Sequence, residues 1–245
     1  MRVLPILFNT DMVCAILDGR KTATRRAVRY KYSNTEMKMR TDKYGTYLIE
    51  IQKNVAGVTH GKHPDGSTWH KILPFIEKIS PYKKGDILYV RETWAFLPCM
   101  DCVREGTDCG RPCVTYEDKD SVSDGCFVYR VDHPDPGCVS WSPSIHMPKA
   151  AARIWLRVTD VRAERLQDIT NEQILKEGCN ADAIRRYIKQ MPGETEEQVR
   201  AACLMEWQQV WNSTVKKSEL DRYSWDANPW VWATEFERCE KPEEG

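Results

Sequence analysis

Three runs that predict strands do most to limit the folds open to this chain. They are "KKGDILYVRETW" at 83–94, "RIWLRVTDVRAERL" at 153–166 and "PWVWATEFER" at 229–238. The first carries residues of high strand propensity, Ile87 to Val90, after a Gly-Asp turn. The second alternates apolar and polar residues, which is typical of a strand that buries one face. Two shorter runs, "VLPILF" at 3–8 and "TYLIEIQ" at 46–52, predict further strands. The chain is therefore expected to be built mainly from β-structure.

Helical patterns are fewer, and we expect helices near 11–18, 170–177 and 195–212. Thr10 or Asp11 can cap the first helix, and Gly19 is placed to end it. Thr170 and Gln173 have the spacing of a capping box, with Gly178 as the stop. The sequence thus predicts one α+β domain, mainly β, over 1–245, with insertions at about 30–72 and 97–140.

The charge balance argues against a bulk polyelectrolyte binder. Lys plus Arg and Asp plus Glu both number 36, so the net charge is zero, and any contact with nucleic acid must come from local patches. The chain shows no apolar run of about 20 residues, the length of a membrane span. Asn9 and Asp11 interrupt the first apolar segment, which is unlike a signal peptide. We expect a cytoplasmic protein with no membrane partner.

Ten cysteines then need an explanation other than secretion, because clustered thiols in a reducing compartment more often bind metal. Four of them fall in "PCMDCVREGTDCGRPC": Cys99, Cys102, Cys109 and Cys113. Two such pairs predict a structural zinc held by four thiolates, with no coordination position left open for catalysis. The second spacing is tight, so replacement of one ligand by Cys126, Cys138 or His133 stays open.

The stretch "GRKTATRR" at 19–26 concentrates cations and hydroxyls just after the first predicted helix. Taken alone, it fits a solvated basic loop. It also fits a site, because a lysine beside a threonine can accept the hydroxyl proton and make the oxygen a nucleophile. Lys21 and Thr24 would meet in a tight turn but would point to opposite faces of a regular strand.

The same stretch resembles the GxKxxTxR signature of ASCH domains, which are small β-barrel relatives of the PUA fold. "GDILYVRETW", "RLQDITNEQILKEG" and "VWATEFER" agree with that family in order. "WSPSIHMPKAAARIWLRVTDV" and "WDANPWVW" are similar to longer ASCH proteins encoded by bacteriophages and prophages. The resemblance implies a PUA-like barrel of about six strands with helices packed on it, in a bacterial host cytoplasm.

Bacterial ASCH enzymes that hydrolyse acetylated cytidine use a lysine, a threonine and a glutamate. By the motif, the resemblance implies Lys21, Thr24 and Glu177 as catalytic residues and Arg26 as the family arginine. Glu177 falls in the last turn of its predicted helix, where the macrodipole disfavours a carboxylate by about 0.3–1 kcal/mol. A partner such as Lys21 would offset that cost.

Further residues are candidates for substrate contact. Arg25 is a candidate phosphate ligand, and Arg91 with Trp94 ends a strand in a way that suits phosphate binding and base stacking. Packing is the alternative role for Trp94, and a partly buried structural histidine is the alternative for His146. We assign no role to three loosely spaced histidines: His60, His63 and His70.

Two functions from different classes follow. The first is an amidohydrolase that removes an acyl group from the exocyclic amine of a modified cytosine nucleoside or nucleotide. The second is a non-catalytic PUA-like module that binds RNA, DNA or a modified nucleotide. The expected partner is a nucleotide or a short single strand, and the sequence leaves the acyl group and the oligomeric state open.

Overall fold

Two compact units, each formed from separate stretches of sequence, make up the computed structural model of the chain. Unit 1 comprises Met1–Thr22, Lys84–Thr159 and Phe236–Gly245, and unit 2 comprises Ala23–Lys83 and Asp160–Glu235. The structure describes residues 1–32, 35–43, 45–52, 59–62, 68–71, 76–99, 113–118, 121–133, 140–190 and 195–243. That the chain forms a single domain stays a prediction.

Strands predominate, as the strand-like runs predicted. The strands are β1 (Val3–Leu7), β2 (Ala23–Ala27), β3 (Thr35–Asp42), β4 (Gly45–Gln52), β5 (Thr59–Lys62), β6 (Thr68–Lys71), β7 (Ile76–Lys78), β8 (Ile87–Arg91), β9 (Trp94–Pro98), β10 (Val114–Asp118), β11 (Ser121–Tyr129), β12 (Trp155–Arg165) and β13 (Trp230–Cys239). The helices are α1 (Thr10–Leu17), α2 (Asn171–Lys176), α3 (Ala181–Lys189), α4 (Glu196–Thr214) and α5 (Leu220–Tyr223).

The largest sheet has five strands in the order β1-β8-β12-β13-β2. Within unit 1, β1 runs parallel to β8; within unit 2, β13 runs antiparallel to β2. Smaller sheets have the orders β10-β11-β9, β3-β4-β7 and β5-β6. The fold is thus mixed α+β and mainly β. The described sheets are open, so the expected closed barrel is not confirmed.

The three predicted helices are present, and their ends follow local chemistry. Gly19 and Gly178 both have positive φ, +74° and +85°, which a glycine adopts without steric cost. Thr170 and Gln173 form the predicted capping box of α2. The cap of α1 differs from the prediction, since Asn9 accepts the Met12 N–H at 2.9 Å.

Each unit has its own apolar clusters. In unit 2, α2, α3 and α4 bury side chains against one another and against β13, including Ile174, Ile184, Trp207 and Trp211. A second cluster in unit 2 joins Val28, Met37 and Leu48, and unit 1 has one around Trp94, Met147 and Ala151. Among the residues described, no helix is long and apolar enough to span a membrane.

Candidate functional site

The stretch "KTATRR" is not a solvated loop. Residues 23–27 form β2, and the side chains of Lys21, Thr24 and Arg25 are buried. Thr24 pairs with Thr234 of β13, and Arg26 pairs with Trp232. Since side chains alternate along a strand, Thr24 and Arg26 share one face of β2 while Arg25 occupies the other.

Arg25 lies between two carboxylates of unit 2. Its Nη1 donates to Glu177 Oε1 at 2.9 Å, and its Nε donates to Glu164 Oε1 at 2.8 Å. The Arg25 side chain is 0% exposed and the Glu177 side chain 3%. The structure therefore gives Arg25 a different role from the predicted phosphate contact: it holds two carboxylates and is out of reach of solvent.

Glu177 caps the C-terminus of α2, and its backbone N–H donates to Gln173. The predicted unfavourable placement at the negative end of a helix is confirmed, and the Arg25 guanidinium offsets it. This pair joins segments that are 152 residues apart in the sequence.

Ion pairs extend from Glu164 across the strands of unit 2. Arg162 Nε donates to Glu164 Oε2 at 2.9 Å, and its Nη1 donates to Glu235 Oε1 at 2.8 Å. Glu164 is thus held from two sides, by Arg25 and by Arg162. Linked pairs of this kind fix the side chains that take part in them, because each rotamer is constrained by more than one partner.

Arg26 is exposed, unlike its neighbour Arg25. Desolvation by surrounding protein nevertheless lowers the pKa of Arg26, against the opposing effect of Tyr82 and Glu177. Tyr82 and Glu177 are therefore neighbours whose charges act on Arg26. Tyr82 is half-buried beside it, and burial raises the pKa of its phenol.

Lys21 belongs to unit 1 and is 2% exposed. Its backbone N–H donates to the Ala15 carbonyl at 2.9 Å, which fixes the chain after α1. Its Nζ lies 5.5 Å from the centre of the Phe8 ring, a cation–π contact. A buried lysine with an aromatic neighbour is held in one place more firmly than a surface lysine would be.

The other predicted contact residues lie in unit 1. Arg91 Nη1 donates to the Ile145 carbonyl at 3.1 Å, next to His146, which is exposed. Trp94 is buried, and its ring centre lies 5.8 Å from that of Phe127. Packing therefore accounts for Trp94, whereas the contacts predicted for Arg91 and His146 stay predictions.

The predicted zinc ligands are only partly within the described residues. Cys102, Cys109 and Cys138 lie outside them. Cys99 follows β9 and Cys113 precedes β10, and these strands flank β11 on either side. Among the described residues, no group of three or more metal-ligating side chains is found.

The remaining histidines gain no role. His60 and His70 pair across the β5–β6 hairpin, and His63 lies outside the described residues.

Sequence reasoning missed Glu164 and Tyr82 as neighbours of the candidate site. Glu164 is one of several charges in an alternating run, and its partner Arg25 is 139 residues away, so no local pattern singles it out. Tyr82 carried no motif. A scan of protein-family models, a search of curated proteins and a search of solved structures each found no match to this chain.

Proposed function

We propose that the chain is an ASCH-type amidohydrolase that removes an acyl group from the exocyclic amine of a modified cytosine. The observation that supports this most is the buried ion pair between Arg25 and Glu177. It brings β2 and the C-terminal end of α2 together within unit 2, where the charge of Glu177 also acts on Arg26. The mixed, mainly β fold is compatible with a PUA-like domain, which remains part of the proposal.

In the proposed reaction, Thr24 Oγ1 attacks the amide carbonyl and transfers its proton to neutral Lys21 Nζ. The carbon–nitrogen bond then breaks, and the proton on Lys21 passes to the departing cytosine amine. Water hydrolyses the resulting acyl-threonine and restores the hydroxyl. Glu177 orients the proton-transfer groups and helps deliver the water, while Arg26 stabilises negative charge on the carbonyl oxygen.

The direct test is incubation with N4-acetylcytidine, free and within an oligonucleotide, followed by chromatography for the deacetylated base. Thr24→Ala and Lys21→Ala should each lower turnover at least about 100-fold, the usual scale for a positioned nucleophile or proton acceptor. Thr234→Ala is the matched control. Thr234 is a buried threonine directly opposite Thr24 in the ladder, and its loss should change turnover less than about threefold.

If no acylated cytosine is consumed, or if both active-site variants keep wild-type turnover while remaining folded, the amidohydrolase proposal is wrong. The non-catalytic binding module then becomes the preferred function.

We also propose a structural zinc on Cys99, Cys102, Cys109 and Cys113. What supports it is register: Gly125 of β11 pairs with Pro98 on one side and Val114 on the other. The two ends of the cysteine-containing segment, Cys99 and Cys113, therefore lie on either side of β11 close to the level of Gly125, and a metal would close the loop between them. Elemental analysis of protein purified without added metal should find about one equivalent; less than half would argue against the site.

A further inference from the structure

A surface of unit 2 alternates cations with tyrosine rings. We call it the tyrosine–arginine surface and define it by six residues: Arg29, Tyr30, Lys31, Tyr32, Arg222 and Tyr223. Four of these residues follow β2, and the other two belong to α5. None of them takes part in the proposed hydrolysis.

The contacts show that the two segments form one surface. The Arg29 guanidinium lies 4.4 Å from the centre of the Tyr223 ring, and that of Arg222 lies 5.7 Å from the centre of the Tyr30 ring. The Tyr30 and Tyr223 rings are 6.2 Å apart, and the Tyr30 N–H donates to Tyr223 Oη at 3.1 Å. Each segment thus places its cation on a ring of the other.

The cations and the Tyr32 ring of this surface are accessible, whereas Tyr223 is buried and Tyr30 is half-buried. Tyr32 is 55% exposed, and Lys31, with its Nζ 5.7 Å from the Tyr32 ring centre, is also exposed.

The surface carries more positive than negative charge. Acidic residues beside the surface include Glu219, which contacts Arg29 at 2.9 Å, and the exposed Asp221 of α5. The carboxylate of Glu50 accepts the backbone N–H groups of Lys31 and Tyr32 and is itself buried beneath the surface.

A second pair of the same kind adjoins these residues. The Arg165 guanidinium lies 4.7 Å from the centre of the Trp230 ring. Burial raises the pKa of Tyr30, while the charges of Arg165 and Arg222 act in the opposite direction, so both arginines lie near that phenol. Three arginines, Arg29, Arg165 and Arg222, therefore lie around the aromatic rings, with Lys31 at one side.

We propose that the tyrosine–arginine surface binds single-stranded nucleic acid. Guanidinium and ammonium groups neutralise phosphates, and the exposed Tyr32 ring beside them gives a base a face on which to stack. A duplex would leave the exposed Tyr32 ring without a use, because its bases are already stacked. An acidic protein segment would use the cations but has no comparable need for rings.

The position of this surface also selects a substrate class, and this step rests on the proposed function. Tyr30 is four residues beyond Arg26, so the backbone between them spans at most about 14 Å. Val28 N–H donates to the Trp230 carbonyl at 2.9 Å, continuing the β2–β13 ladder in which Arg26 pairs with Trp232. A strand bound on the surface would reach Arg26. The preferred substrate is then an acylated cytosine within a strand rather than a free nucleoside.

The binding test uses fluorescence anisotropy with labelled 12-nucleotide oligo(U) and oligo(dT) that carry no acyl group, at two salt concentrations. Affinity should fall with salt, with a log–log slope of about −0.7 for each phosphate contact. Lys31→Glu with Arg222→Glu should weaken binding at least tenfold and flatten that slope. Tyr32→Ala should weaken it about fivefold to hundredfold through lost stacking.

Arg185→Glu is the matched control, since Arg185 is an exposed arginine of α3 in the same unit, paired with Asp182. It should change affinity less than twofold. Salt-independent or absent binding, an equal loss in the control, or no loss in the double variant would overturn the proposal. So would competition by polyglutamate as strong as that by oligo(U), which would indicate an acidic protein partner.

Hydrolysis is measured separately, so that the two proposals can fail independently. The double variant should lose kcat/KM on acetylated oligonucleotide at least tenfold more than on free N4-acetylcytidine. Equal losses on both substrates would overturn the link to substrate choice. If the wild type hydrolyses neither substrate, the amidohydrolase proposal fails, and the anisotropy result still decides whether the surface binds a strand.

Discussion

Glu50 in unit 2 and Glu92 in unit 1 are each 1% exposed, yet their pKa values move in opposite directions. Burial raises the pKa of Glu50, but donors outweigh it and bring the value to about 2. Those donors are Lys78, Thr35 and the backbone N–H groups of Lys31 and Tyr32. For Glu92, burial also acts first, and the pKa stays raised despite the opposing hydrogen bonds of Arg153.

The difference lies in how many groups donate to each carboxylate. Arg153 donates to both oxygens of the Glu92 carboxylate, from Nε to Oε1 at 2.9 Å and from Nη2 to Oε2 at 3.0 Å. Its Nη1 also donates to Asp132 Oδ2 at 2.6 Å. One cation is therefore shared between two acids. Glu50 receives four donors, two of them main-chain amides: the N–H groups of Lys31 and Tyr32, the Thr35 hydroxyl and the Lys78 ammonium. A carboxylate can therefore be buried beside one shared cation, as Glu92 is, or beside several donors, as Glu50 is. Only the several donors lower the pKa and keep the carboxylate ionised at low pH.

Arg25 resembles Arg153, since one guanidinium again serves two carboxylates, but its burial is complete. Arg25→Met should therefore cost the most of any change considered, about 5 kcal/mol in the free energy of unfolding, because two acids lose a buried partner. Denaturant unfolding would measure this loss. Arg25→Lys keeps the charge without the fork and should cost less; an equal cost for both would show that the charge contributes little.

The same comparison ranks the cost in unfolding free energy of removing Arg153, the partner of Glu92, and Lys78, a partner of Glu50. Arg153→Met should cost about 3 kcal/mol, because Glu92 loses the arginine that grips it with two nitrogens. Lys78→Met should cost about 1–2 kcal/mol, because three donors to Glu50 remain. Adding Glu92→Gln to Arg153→Met should recover part of the loss. A larger cost at Lys78 than at Arg153 would contradict the explanation by donor number.

The fall of the unfolding free energy at low pH tests the contribution of Glu50 directly. Its folded pKa lies below its unfolded one, so its contribution is present above about pH 4.5 and is lost as the pH falls toward 2. The shift corresponds to roughly 3 kcal/mol. The stability difference between wild type and Glu50→Gln should therefore be largest at neutral pH and shrink in acid. A difference independent of pH would show that the carboxylate is not the group that matters.

The sequence predicted strands where apolar residues alternate and missed β2, where they do not. "ATRRA" buries Thr24 and Arg25, and a pattern of hydrophobicity treats such residues as exposed. The burial of Arg25 depends on Glu164 and Glu177, and a short stretch of sequence around Arg25 does not include residues so distant. The resemblance predicted Glu177 as a site residue, but not that Arg25 would be its partner.

Other omissions had a usable signal. Ile184, Tyr187 and Ile188 of α3 have helical spacing, and Asn180 before them accepts two backbone N–H groups as a cap. Asn9 also ranks above Thr10 as a cap by intrinsic preference. These elements follow from local chemistry, whereas the ion pairs of the candidate site follow from strand order, which local chemistry does not determine.

The smallest predicted effect concerns Glu92, whose pKa shift has the opposite sign to that of Glu50. A carboxyl with a folded pKa above its unfolded one binds its proton more tightly in the native state, so its contribution to stability falls as the pH rises through that interval. The advantage of wild type over Glu92→Gln should therefore be greater in acid than at neutral pH. Urea unfolding of both proteins across this range would measure the slope. A slope of the same sign as that for Glu50→Gln would show that Arg153 outweighs burial, and that one shared cation is enough to favour the ionised form of a buried carboxylate.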